Sequence, residues 1–334
     1  MGDNAVGATT AEDRPSFLGR LYGNMAAHDW FCVVYHLGMF LRVMVAPDSE
    51  NAFIARRFSG ILLAATALAL LITRGEILPK GLARAIAYRV GIFTPIFVSY
   101  FELRYLLPAL QPHLLDAELY RIDQVLFGRS PAEYLDAFVT PSTTEWFAFF
   151  YFSYFAIMGS YLILSVFLDR GQRLSEIMTG AAVLASVGHL TYTLVPGFGP
   201  HVYLHNFAHE LTGGIWWQRV NVAVNGSGAM LDIFPSLHTA YPTFYTLHAF
   251  RHRKAMPFKY AWIVTAFFTG NIIIATVFLR WHWGIDLVAG IALAICAQQA
   301  GIFFARKQAA RDSATWARQE VWEPLRQKPE QSAA

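Results

Sequence analysis

Charge is scarce in this chain. Only 15% of its 334 residues are Asp, Glu, Lys or Arg, against about 25% in soluble globular domains, while 55% are hydrophobic. That shortage excludes an ordinary water-soluble domain and leaves a membrane protein. Cysteine is nearly missing as well. The two present, Cys32 and Cys296, both fall in apolar stretches, which argues against a disulfide framework and leaves them as small packing residues. The net charge is only +3, and the basic residues gather in loops, so there is no nucleic-acid footprint. Residues 1–19 lack the basic and apolar regions of a signal peptide, so the first membrane segment is expected to serve as the insertion signal. No long-period repeat is visible. Aromatic residues, by contrast, are plentiful: 27 Phe, 15 Tyr and 9 Trp, as interfacial belts require.

Eight apolar stretches are visible, at 29–45, 58–73, 90–109, 146–168, 177–195, 235–250, 260–279 and 285–304. His36 and Arg42 interrupt the first, which leaves it to span the bilayer or lie in the interface. The sixth is too short to cross about 30 Å of hydrocarbon. Its N-terminus, capped by Ser236, is expected below the membrane surface in a pocket lined by protein. The expectation is an all-α polytopic bundle of about 7–8 spans. Residues 119–138 read as short amphipathic surface helices, and Pro196-Gly-Phe-Gly-Pro200 as a helix break. Residues 201–233 read as a long loop. A tail (1–27, its first 20 residues disordered), a transmembrane catalytic domain (28–305) and a basic tail (306–334, surface helix or disorder) complete the division. Most basic residues, including Arg74, Arg84, Arg89, Arg251 and Arg253, fall on the side of both tails. The positive-inside rule makes that side cytoplasmic. His238 and His282 then open toward the periplasm, exterior or lumen.

The chemistry concentrates in Arg280-Trp-His-Trp-Gly-Ile-Asp286 and Phe234-Pro-Ser-Leu-His238. If 282–286 is helical, His282 and Asp286 share one face. The carboxylate then holds one ring nitrogen and frees the other for attack. A lone interfacial histidine is usually satisfied by water or backbone, and a lone arginine usually snorkels. Two histidines, a carboxylate and a guanidinium at the mouths of apolar segments are costly for structure alone. His238 opens a helix whose free amides favour an anion. Gly197 and Gly199 allow close backbone approach, although a Gly-x-Gly by itself is an ordinary turn. The combination suggests phosphoryl transfer. His282 attacks phosphorus, His238 protonates the leaving alkoxide, and Arg280 with backbone amides receives the developing charge. No metal or other cofactor is called for, since no acidic or cysteine cluster completes a site around the pair.

Pro-Ser-Leu-His238 resembles the Pro-Ser-Gly-His motif of the type 2 phosphatidic acid phosphatases. Thr276 through His282-x-x-x-Asp286, followed by Gly290, resembles their third motif. The likeness is closer to the branch of the inositol phosphorylceramide synthases, which carry Leu or a similar residue in place of that Gly. Tyr151-Phe-Ser-Tyr154 and the stretch 123–131 are similar to that branch too. The resemblance covers roughly 119–290. It implies a six-helix core, His282 as nucleophile, His238 as acid/base and Asp286 as the orienting carboxylate. It also implies a lipid phosphate or phosphodiester as substrate. Two departures stand out. The family's first motif, with its Lys and Arg, is absent, and 197–201 occupies its place without charge. The third motif's Arg is Thr276 here. Arg280, Arg219 and Arg104 are the candidates to supply phosphate-binding charge, with Ser236 and Gly199 as further contacts.

The reading is therefore a membrane lipid phosphotransferase or phosphatase working through a phosphohistidine. The acceptor is water, or an alcohol such as inositol. The missing monoester-binding charges favour transfer from a phosphodiester. A lipid transporter or scramblase is the rival. It would place polar residues through the full depth of several segments, whereas these cluster at one end of three.

Overall fold

A computed structural model describes residues 16–110, 112–227, 230–314 and 320–325. Among them there is no strand. The helices are α1 (Phe17–Asn24), α2 (Ala27–Met44), α3 (Glu50–Arg74), α4 (Leu82–Ala109), α5 (Asp116–Phe127), α6 (Pro131–Leu135), α7 (Pro141–Leu168), α8 (Gly171–Tyr192), α9 (Pro200–Tyr203), α10 (Ile215–Ser227), α11 (Leu237–Arg251), α12 (Phe258–Phe278) and α13 (Gly284–Ala314). Five of them, α3, α4, α7, α12 and α13, are long and apolar enough to cross a membrane. With α2, α8 and α11 they correspond one to one with the eight apolar stretches. The chain is an all-helical, multi-pass membrane bundle. The expected tail over residues 1–15 lies outside the described residues.

The short helix α11 is the axis of the bundle, packed by α7, α8, α12 and α13. Ser236 caps it, its hydroxyl accepting the Thr239 amide at 3.3 Å, as the sequence predicts. Gly290 of α13 lets the two helices close up, because a Cβ there would lie 2.6 Å from the Ser236 carbonyl oxygen. The helices α2, α3 and α4 form a second layer that meets the first through α8. Polarity explains why α8 and α2 look poor as spans. Helix α8 carries Arg173, Glu176 and His189 but is buried along nearly its whole length by other helices, so its neighbours rather than lipid solvate it. In α2 the buried Asp29 takes Arg74 Nε at 2.9 Å and the Tyr88 hydroxyl at 2.6 Å.

Three expectations change. The 201–233 stretch is not all loop, because 215–227 forms α10. Val220 is fully buried with Ala148 and Tyr151 of α7, and the Trp216 and Trp217 rings pack against the same cluster. One apolar face among polar residues, after Gly213-Gly214, disguises the helix. The tail is not wholly superficial either. At 320–325 the Trp322 ring stacks on His28 with centroids 5.0 Å apart, and its Nε1 donates to Ser175 at 2.8 Å. Glu323 takes Arg84 at 2.6 Å, and its carbonyl accepts Arg89 at 2.9 Å. Third, Arg74, Arg84 and Arg89, which read as loop charges, are buried partners of this network.

A remote side chain caps the helix that follows His282. Asp123 of α5 accepts the Gly284 and Ile285 amides, each at 2.9 Å, and the Ser130 hydroxyl at 2.9 Å. Asp123→Ala leaves one buried and one half-buried amide unpaired at the start of α13, which should cost about 1–3 kcal/mol. Thermal unfolding in detergent should show the loss, with Asp123→Asn intermediate. Equal stability of all three proteins would deny the cap.

Candidate active site

The His282 turn is built by the way α12 ends. The Thr276 carbonyl accepts both the Trp281 amide at 3.0 Å and the His282 amide at 3.2 Å. Between them Arg280 adopts φ +66°, a left-handed position usually given to glycine. Its side chain is tied down instead. One guanidinium nitrogen donates to Asp136 Oδ1 at 2.7 Å and to the His209 carbonyl at 2.5 Å, and the group lies 3.8 Å from the Phe207 ring centroid. Burial works to raise the Asp136 carboxyl, but the Ala208 amide, His209 and Arg280 outweigh it and hold the group below its ordinary value.

His282 therefore sits in a turn and not on a helix, and Asp286 alone belongs to α13. The expected partnership survives this correction. Asp286 Oδ2 lies 3.2 Å from His282 Nδ1 and also accepts the Trp283 amide at 2.9 Å. One oxygen both caps α13 and orients the imidazole. Asp286 is fully buried and His282 is 5% exposed, so solvent competes little for the bond.

The facing wall is the 197–201 segment. Asp116, at the start of α5, accepts the Phe198 amide at 3.0 Å, the Gly199 amide at 2.8 Å and the Trp283 indole at 3.2 Å. The His201 amide donates to the Arg280 carbonyl at 2.9 Å. Gly199 has φ +87°, and a Cβ on it would lie 2.5 Å from the Trp281 carbonyl oxygen. Only glycine lets the two turns meet here. Gly199→Ala should cost about 2 kcal/mol or more from strain and displacement. It should also lower kcat with the His282 turn. Unchanged unfolding temperature and turnover would contradict that placement.

His238, in the first turn of α11, is held between two rings of α7. Tyr151 stacks at 4.3 Å with a 14° interplanar angle, Tyr154 at 4.0 Å with 26°, and Phe155 meets the edge at 5.9 Å. Tyr151 and Tyr154 are three apart, so both face the ring from consecutive turns. This gives a physical role to the Tyr151-Phe-Ser-Tyr154 stretch. His238 Nδ1 is buried without a hydrogen-bond partner. The His238 and His282 ring centroids are 6.4 Å apart.

Both histidines open into a cavity of about 500 Å³ enclosed by α4, α7, α8, α10, α11 and the 281–282 turn. Tyrosines, His189, His201 and Asp232 supply its polar surface, and no Lys or Arg is among its lining residues. Burial lowers His201 to about 4, so its ring is neutral at pH 7. Burial also raises the Asp232 carboxyl, which accepts the Tyr100 hydroxyl at 2.9 Å.

The structure thus brings His282, Asp286 and His238 together and leaves the sequence-derived phosphate ligands elsewhere. Arg280 points into Asp136. Arg104 on α4 and Arg219 on α10 are exposed, with Arg219 over the Trp216 ring at 4.8 Å. The Gly199 amide is taken up by the Asp116 carboxylate, and the Ser236 hydroxyl by the Thr239 amide. Sequence reading missed Asp116, Asp123, Asp136 and Asp232. Asp116, Asp123 and Asp136 lie among Glu118, Arg121 and Glu133 in a polar connection and give no local signal, while Asp232 stands as a single carboxylate in the apolar stretch Met230-Leu-Asp-Ile-Phe234. Among the described residues, the group of three ligating side chains near enough to share an ion is Glu176, His248 and His252, at the other end of α11.

Comparison with known proteins gives one relationship. No curated protein and no solved structure matches the chain. The family model described as "PAP2 superfamily" matches residues 117–300. That span starts within α5, takes in both histidine turns and ends within α13, over more than half of the sequence. By that match the chain belongs to the PAP2 superfamily and is a multi-pass membrane protein of its lipid phosphatase and phosphotransferase class.

Proposed function

We propose that the chain is a lipid phosphotransferase or phosphatase that works through a phosphohistidine on His282. The observation that carries this is the Nδ1 contact with buried Asp286 at 3.2 Å, on a ring that opens into the same cavity as His238. Asp286 fixes the tautomer in which Nδ1 carries hydrogen, which leaves the Nε2 lone pair for phosphorus. As the N–P bond forms, the ester O–P bond breaks and His238 gives its proton to the departing alkoxide. His238 then takes a proton from the acceptor hydroxyl, whose oxygen displaces His282 and restores the free ring. The amide end of α11 faces the transferring group.

The same cavity favours a phosphodiester over a monoester. A dianionic phosphate would meet no Lys or Arg among the described lining residues and one carboxylate, Asp232. A monoanionic diester avoids much of that repulsion, and a carboxylate beside tyrosines suits the hydroxyls of an alcohol such as inositol. The transporter reading has less support, because the polar residues converge on two histidines that share one cavity with ring centroids 6.4 Å apart. The catalytic unit is 28–305, flanked by 1–27 and 306–334 on the cytoplasmic side. The distribution of basic residues supports a site on the opposite face.

The experiment is turnover in detergent by the full-length protein, with a lipid phosphomonoester and a phosphoinositol lipid, each with and without added inositol. Head-group exchange that requires the alcohol would make the enzyme a transferase. Phosphate release from the monoester would make it a phosphatase and overturn the diester preference. Lipid movement without bond cleavage would favour the transporter.

A further inference from the structure

The second chemical cluster lies where α11 ends. His248 and His252 are four residues apart and project from one face, with ring centroids 4.7 Å apart. Glu176 reaches them from α8, its Oε2 lying 2.9 Å from His252 Nε2. One nitrogen of each ring and a carboxylate oxygen all lie within 4.8 Å of one another. An ion pair among Glu176, Arg251 and His252 explains part of this, since Arg251 Nε also donates to Oε2 at 3.0 Å. It does not explain His248. That side chain is fully buried, its Nδ1 is held by the Tyr161 hydroxyl at 2.9 Å, and its Nε2 has no partner.

We propose that Glu176, His248 and His252 form a binding site for a divalent transition metal of the zinc class, clamping α8 to the C-terminal end of α11. Two imidazoles and one carboxylate are the donor set such ions prefer, and three protein ligands leave a fourth position for water. The surroundings suit that role. With Tyr161 accepting from Nδ1–H, the lone pair of His248 sits on Nε2. Gln172 and Arg251 donate to the other carboxylate oxygen, Oε1, at 3.2 and 3.3 Å, so they can orient Glu176 while Oε2 ligates. The His-x-x-x-His spacing alone is weak; the unsatisfied buried nitrogen and the carboxylate from a separate helix carry the assignment. It stands independently of the chemistry proposed for His282.

The test uses the full-length protein in detergent, treated with chelator, desalted and titrated with Zn²⁺ and, separately, Co²⁺. Wild type should take up one saturable equivalent. Its Co²⁺ form should show the strong visible absorption of a low-coordinate site, and Zn²⁺ should raise its unfolding temperature. His252→Ala, at the partly exposed end of the helix, should fold without metal as wild type does and bind Zn²⁺ at least tenfold more weakly. Glu176→Gln should weaken binding likewise, and it decides the matter if His252→Ala does not fold. No saturable equivalent in wild type, or equal affinity in wild type and the folded variants, would overturn the assignment.

Discussion

His282→Ala should abolish turnover, lowering kcat by more than about 10³-fold, since it removes the atom that bonds to phosphorus. His238→Ala should cost about 10²–10⁴-fold, the usual range for a general acid/base. Asp286→Asn should fall in the same range by presenting an amide to Nδ1 and favouring the wrong tautomer. Because the three side chains act on one reacting centre, His282→Ala/His238→Ala should be little worse than His282→Ala. KM should move far less than kcat, as the cavity walls that hold the lipid are untouched. Steady-state kinetics on the purified variants checks each point. Multiplicative losses in the double variant would mean that the two histidines act in separate events.

Arg280 provides the second large effect, and it is an effect on stability. The pair with Asp136 at 2.7 Å has side chains about a tenth exposed, 10% and 11%, so water screens it little. Breaking such a pair from one side leaves an unpaired buried charge and costs about 3–5 kcal/mol. The remaining exposure places Arg280→Ala at or just below the low end of that range, about 2–3 kcal/mol. Asp136→Ala should cost about as much, and the double variant little more than either. The pH dependence follows from Asp136. Its folded value lies below the ordinary 3.8, so its contribution is fully present above about pH 4 and fades as pH falls through the folded value. A phosphate-binding role predicts something different. Arg280→Ala would then raise KM sharply with unfolding unchanged, and Asp136→Ala would not mimic it. Unfolding midpoints and a double-mutant cycle separate the two.

The contrast between these predictions shows what the sequence makes legible. His282 and Asp286 could be paired on paper because four residues bring two side chains together even across a turn. Ser236 could be named as a cap because capping is local. The eight helices could be placed from runs of apolar residues. Arg280 could not be assigned, because its partner Asp136 is 144 residues away and no local pattern joins them. Asp116 and Asp123 looked like ordinary residues of a polar connection. Only the fold sets their carboxylates beneath the amides of 198–199 and 284–285. The aromatic α10 was hidden because one buried face among exposed Gln, Arg and Asn leaves little periodic signal.

The most direct measurement is a rapid acid-free quench of the full-length enzyme during turnover of a lipid labelled at phosphorus, followed by peptide mapping. The account predicts label bound covalently through an acid-labile, base-stable bond to the peptide containing His282. The label should be missing in His282→Ala and should accumulate in a variant of His238 slowed in the second step. Product formation from wild type with no label on that peptide at any time, or label on another residue, would contradict the phosphohistidine account.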